Sequence, residues 1–167
     1  MMDRFHLLLQ TLADKKLTLG SVESLTGGKF AAKATSYPGA SLVYKGSLIT
    51  YAVEEKENLA KVPARLIERF GVVSEPVAKA MASGGKNALN VDVCLSCTGN
   101  AGPTAEPGKA QVGDVYVSVA YNEATWTLGF HFGSKASREE IRDKTIDAMV
   151  ELALSLFPCD KLDDEEK

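Results

Sequence analysis

Histidine is nearly missing from this chain: His6 and His131 are the only two in 167 residues, and no motif surrounds either. That gives little support to a serine activated by histidine, and it leaves a metal site without its commonest ligand. Cysteine is scarce as well, at Cys94, Cys97 and Cys159. No leader-like segment is evident. An odd, sparse count without one reads as a reduced, cytoplasmic protein. The run VDVCLSC reads as a strand, and residues three apart on a strand point to opposite faces. Cys94 and Cys97 are therefore expected as buried, inert thiols rather than a redox or zinc pair. No apolar run approaches the roughly 20 residues of a membrane span. Neither sign of charge dominates, with 19 Lys and Arg against 22 Asp and Glu. A net charge of −3 argues against general affinity for nucleic acid or a membrane surface.

What remains is ordinary globular material, 45% hydrophobic and 25% charged. At this length one domain is expected, and folding buries roughly 70% of the unfolded surface. Residues 5–14 carry Leu7, Leu8, Leu9 and Leu12, an amphipathic helix. KLTLGSV reads as a first strand and residues 27–34 as a helix. Leu42 to Tyr51 reads as a second strand, with a bulge expected at Gly46. A charged helix follows from Val53 to about Ala60, and PARLIERFG forms another. Ser74 is the expected cap of a helix that contains Gly84-Gly85, at a cost of about 1 kcal/mol per glycine. VDVCLSCT is a third strand. After a long loop, DVYVSVAY and TWTLGFHF alternate as a hairpin. The last helix is capped by Ser137 or Ser134, and an acidic tail ends the chain.

These elements predict an α/β fold: a single three-layer domain whose mixed, mostly parallel sheet is flanked by helices and carries a late β-hairpin. Residues 1–157 form the domain and 158–167 a solvated tail.

The stretch VESLTGGKFAAK (22–33) is the chemically interesting one. A phosphate loop needs G-x-x-x-x-G-K-[ST], but position 23 is Glu and Phe30 follows Gly28-Lys29, so that reading fails. Ser83-Gly84-Gly85-Lys86 fits S-x-x-K but lacks every companion motif, so it reads as structural. A nucleophile on the first turn survives these tests. Ser24 follows a strand, and Thr26, Gly27 and Gly28 open a helix whose free N–H groups would face an oxyanion. The competing reading is that Ser24 or Thr26 only caps the helix. With histidine disfavoured, the base would be a lysine kept neutral by burial.

ESLTGGKFAAKATSYPGAS, GSLITYAVEEKENL, GVVSEPVAKAMASG and TGNAGP…VGDVYVSVA together resemble the C-terminal domain of the CinA family, over about residues 5–155. The resemblance implies a bacterial amidohydrolase that converts nicotinamide mononucleotide and water to nicotinic acid mononucleotide and ammonia, in pyridine nucleotide recycling. It implies no metal and no cofactor, a small nucleotide substrate and a homodimer. It assigns the nucleophile to Ser24, with support from Tyr51 and Lys56. Thr98, Gly99, Asn100 and Gly102 would bind substrate at the end of the third strand, with Arg142 a further phosphate ligand. Leu25 stands where the family usually has Cys, and Lys135-Ala136-Ser137 where it has Gly-Asp-Arg, which leaves Ser137 or Arg138 nearby. The rival expectation is a domain that keeps the scaffold and only binds a nucleotide or a protein.

Overall fold

The computed structural model describes residues 2–158. Among them the elements run α1 (Arg4–Asp14), β1 (Leu19–Glu23), α2 (Lys29–Thr35), a 3-10 turn (Ala40–Leu42), β2 (Tyr44–Ile49), α3 (Val53–Asn58), α4 (Ala64–Phe70), α5 (Glu75–Leu89), β3 (Val93–Gly99), β4 (Asp114–Tyr121), β5 (Ala124–His131) and α6 (Arg138–Leu156). One five-stranded sheet has the order β2-β1-β3-β4-β5. β1 pairs in parallel with β2 and β3, while β3–β4 and β4–β5 are antiparallel. The sheet is mixed, as expected, but parallel and antiparallel pairings are equal in number because the hairpin supplies two of them.

Side chains alternate across β3 and sort the molecule into layers. Val93, Leu95 and Cys97 join Val115, Val117 and Val119 of β4 against α1 and α6. Cys94 points the other way, into a smaller cluster with Val22, Val77 and Met81. The period of two thus separates Cys94 from Cys97. Burial raises both thiols, Cys97 to about 11. Cys159 and nearly all of the expected acidic tail lie outside the described residues.

Three local expectations change. The second strand is shorter than Leu42–Tyr51, because Pro38 and Gly39 lead into the 3-10 turn that holds Leu42. Its irregularity lies where Leu19 faces Tyr44 and Gly20 faces Gly46, which skips Lys45. Ser74 occupies the N-cap position of α5, but its hydroxyl donates to Gly71 O (2.8 Å) instead of accepting from the helix. At α6 the choice falls on Ser137, whose Oγ accepts from Glu140 N (3.1 Å).

Gly84 and Gly85 explain their presence in mid-helix. A Cβ on Gly84 would sit 1.6 Å from Ala60 O, and one on Gly85 would sit 2.2 Å from Val22 Cγ2. The helix reaches the sheet and the α3–α4 connection only because these side chains are missing.

Candidate active site

β1 ends in two residues with opposite duties. Glu23 and Ser24 are adjacent, so their side chains leave the strand on opposite faces. Glu23, fully buried, turns toward α2. Its Oε1 accepts from Gly28 N (3.2 Å), Phe30 N (2.9 Å) and Thr26 Oγ1 (2.8 Å). Its Oε2 accepts from Ala31 N (3.2 Å) and Ser47 Oγ (2.9 Å). The start of α2, where an anion would be expected, is filled by the protein's own carboxylate. Gly27 and Gly28 make the tight turn, with φ of 58° and 102°, values that favour glycine.

The amides assigned to an oxyanion are therefore committed elsewhere. Gly27 N donates to Ser24 O (3.1 Å), and Gly28 N donates to Glu23. The Thr26 hydroxyl meets the buried Cys97 sulfur (3.4 Å). Thr26 is itself fully buried. Leu25 is the residue of this turn, after Ser24, that lines the neighbouring cavity, and its N–H has no acceptor among the described residues.

Ser24 faces Lys56. The Lys56 side chain is fully buried, although its helix, VEEKEN, is otherwise polar. Its Nζ lies 2.9 Å from Ser24 Oγ and donates to Thr50 O (2.7 Å) and Tyr51 O (3.4 Å). Desolvation pulls its pKa down to about 8, against the opposing influence of Cys97 and Glu106. Thr50 N donates to Glu23 O (2.8 Å), so the carbonyl that holds Lys56 is tied to the end of β1. Tyr51 contributes only its own carbonyl to Lys56; the residue is 63% exposed and its hydroxyl meets Arg138 Nη2 (3.3 Å). The phenol does not stand between Ser24 and Lys56.

A cavity of about 300 Å³ opens above this pair. Thr98, Gly99 and Asn100 reach it from the end of β3, Arg138 from α6 and Glu106 from the long loop. Thr98 Oγ1 donates to Val72 O (3.0 Å). Asn100 braces the loop, with Nδ2 donating to Gln111 O (3.3 Å) and Oδ1 accepting from Glu106 N (3.0 Å). Gly99 lies too close to Val115 and Asp114 O for any side chain. Gly102 takes part through its carbonyl, which accepts from Arg138 Nη1 (2.6 Å).

Arg142 does not line the cavity. Its Nε and Nη2 donate to Leu25 O and Thr26 O (both 2.9 Å), and Nη1 to Glu139 (2.8 Å). It clamps the Ser24 turn from behind. The guanidinium on the cavity wall is that of Arg138, four residues earlier and so on the same helix face. Arg138, Glu106 and Glu23 are the site residues that sequence reasoning left unassigned. Arg138 had one signal, its place beside the altered Gly-Asp-Arg position. Glu23 had the period-two alternation against Ser24. Glu106 had none.

The profile of the CinA C-terminal domain family matches residues 4–157. The chain belongs to the CinA C-terminal domain family. Among its relatives is a CinA-like protein of Flavobacterium psychrophilum, 36% identical over 141 residues, which cover 84% of this chain and 33% of the relative. A putative competence-damage inducible protein of Lactiplantibacillus plantarum is 41% identical over 138 residues, covering 82% and 32%. The chain thus spans about a third of the length of these relatives. A crystal structure of a CinA superfamily protein from Escherichia coli superposes with a TM-score of 0.88 at 26% identity, covering 92% of this chain and 88% of that one. Among the described residues no helix is long and apolar enough to cross a membrane.

Proposed function

We propose that this CinA-family domain is a serine amidohydrolase with a lysine base, and that it releases ammonia from the carboxamide of nicotinamide mononucleotide. The observation that carries the reading is the buried contact of Lys56 Nζ with Ser24 Oγ at the floor of the cavity. A neutral amine has two N–H donors and one lone pair. Thr50 O and Tyr51 O take the two donors. The lone pair is then left for the Ser24 hydroxyl, which is the arrangement a general base needs.

Ser24 Oγ attacks the carboxamide carbon while its proton passes to Lys56 Nζ. The oxyanion is met by the Leu25 N–H, the amide of the residue after the nucleophile. The C–N bond breaks as Lys56 returns the proton to the departing amine, giving ammonia and an ester on Ser24. Water, deprotonated by Lys56, cleaves the ester to release the acid and restore Ser24. Arg138, which has no carboxylate partner among the described residues, is placed to receive the phosphate.

Purified protein should liberate ammonia from nicotinamide mononucleotide, and Ser24→Ala and Lys56→Ala should each abolish this while circular dichroism stays unchanged. No ammonia at high enzyme concentration would overturn the reading and favour a purely binding domain. Lys56 must be neutral to act, so kcat/KM should rise with pH and level off above about 8. A profile flat from pH 6 to 9 would remove Lys56 as the base.

A further inference from the structure

Glu106 stands where a carboxylate works against the base. It lines the same cavity as Lys56, and its negative charge favours the protonated, inactive form of that amine. Its carboxylate enters no ion pair and no hydrogen bond among the described residues. Its backbone, by contrast, is fixed: Glu106 N donates to Asn100 Oδ1 (3.0 Å), and Asn100 is anchored in turn to Gln111 O and to the start of β4. The loop therefore holds an exposed carboxylate on the cavity wall. Arg138 delivers a positive charge, held by Gly102 O and the Tyr51 hydroxyl. A cavity with one carboxylate and one guanidinium on its walls complements a ligand that carries both charges.

The substrate read above has that character. Its carboxamide is borne by a pyridinium ring, whose positive charge no titration removes, and its other end is a phosphate. We propose that Glu106 is a specificity residue that recognises the cationic ring of the substrate, while Arg138 takes the anionic end. The proposal rests on the amidase reading. The exposed carboxylate is open to a partner that arrives with the ligand. Once the ring is bound, its charge also offsets the pull of Glu106 on Lys56, so the base is released to its neutral form by the correct substrate.

The test compares nicotinamide mononucleotide with its reduced, dihydropyridine form, which keeps the amide, ribose and phosphate but has an uncharged ring. Binding is measured by calorimetry on Ser24→Ala protein, with and without Glu106→Gln. Ser24→Ala should bind the oxidised nucleotide about tenfold more tightly than the reduced one. Glu106→Gln should erase that preference while affinity for the reduced form stays within about twofold. A preference that survives Glu106→Gln, or an equal loss for both nucleotides, overturns the proposal. In active enzyme, a Glu106→Gln change that only moves the pH midpoint and leaves the oxidised-to-reduced ratio of kcat/KM intact overturns it too. Charge-selective binding without any ammonia release would support Glu106 and defeat the amidase chemistry instead. Failure to bind either nucleotide defeats both.

Discussion

The tripeptide Gly-Gly-Lys occurs twice in this chain and does two unrelated things. At Gly27-Gly28-Lys29 the glycines adopt positive φ and turn the chain from β1 into α2. At Gly84-Gly85-Lys86 they are ordinary helical residues whose value is the absence of a side chain against Ala60 O, Val22 and Cys94. The first pair uses the freedom of the glycine backbone, and the second uses its thinness. Neither is followed by the Ser or Thr of a phosphate loop. The lysines differ as well: Lys29 pairs with Glu139 and Asp143 on the surface, while Lys86 lies in the last turn of α5. A short motif carries no function until its neighbours are known.

The contrast can be broken by substitution. The largest effect is expected at Gly84. Ala there would improve helix propensity by about 1 kcal/mol, yet its Cβ would meet a backbone oxygen that cannot step aside. Gly84→Ala should destabilise by about 3 kcal/mol, measured by urea unfolding. No loss of stability would mean that the helix slides freely over the α3–α4 connection. Glu23→Gln comes next. It puts an NH₂ among five donors and should cost about 2–3 kcal/mol. Because the same bonds shape the Ser24 turn, kcat should fall at least about tenfold even at temperatures where the variant is folded. Wild-type kcat in folded Glu23→Gln would show that the carboxylate only supports the helix.

Gly28→Ala sharpens the comparison from the other side. It forces a side chain into positive φ, with Ile49 Cδ1 3.1 Å away, and should cost about 1–2 kcal/mol. Its effect on activity should exceed that of Gly84→Ala when both are assayed well below their melting points. The smallest change is Lys29→Met. A surface ion pair contributes about 0–1 kcal/mol, so thermal melting should shift by a few degrees at most and kcat should not change. A large catalytic loss there would revive a ligand-binding role for the first Gly-Gly-Lys.

Much of the scaffold was legible because it depends on local rules. The alternation in β3 separated the cysteines, the hairpin declared itself, and Ser137 was one of two caps offered for α6. Ser24 was found by its place after a strand and before glycines. What escaped depends on which surfaces meet. The burial of Lys56 was reached only through the family resemblance, since VEEKEN by itself reads as a charged helix and its position after β2 drives the lysine into the interior. The amides of Gly27 and Gly28 looked free because the sequence does not say that α2 packs on the face toward which Glu23 points. Arg138 and Arg142 are one helical turn apart, so nothing local decides which meets the cavity and which meets the Ser24 turn.

The pairing of Ser24 with Lys56 also spans two very different parts of the sheet. Ser24 follows β1, which is enclosed between β2 and β3, whereas Lys56 follows β2, which borders β1 alone. A border strand opens at a lower free energy than an interior one, without unfolding the rest. Detaching β2 would carry off the carbonyls that hold the amine and leave the serine in place with no base. The proposed amidase would then switch off by losing one plank of its sheet, before the protein loses its fold.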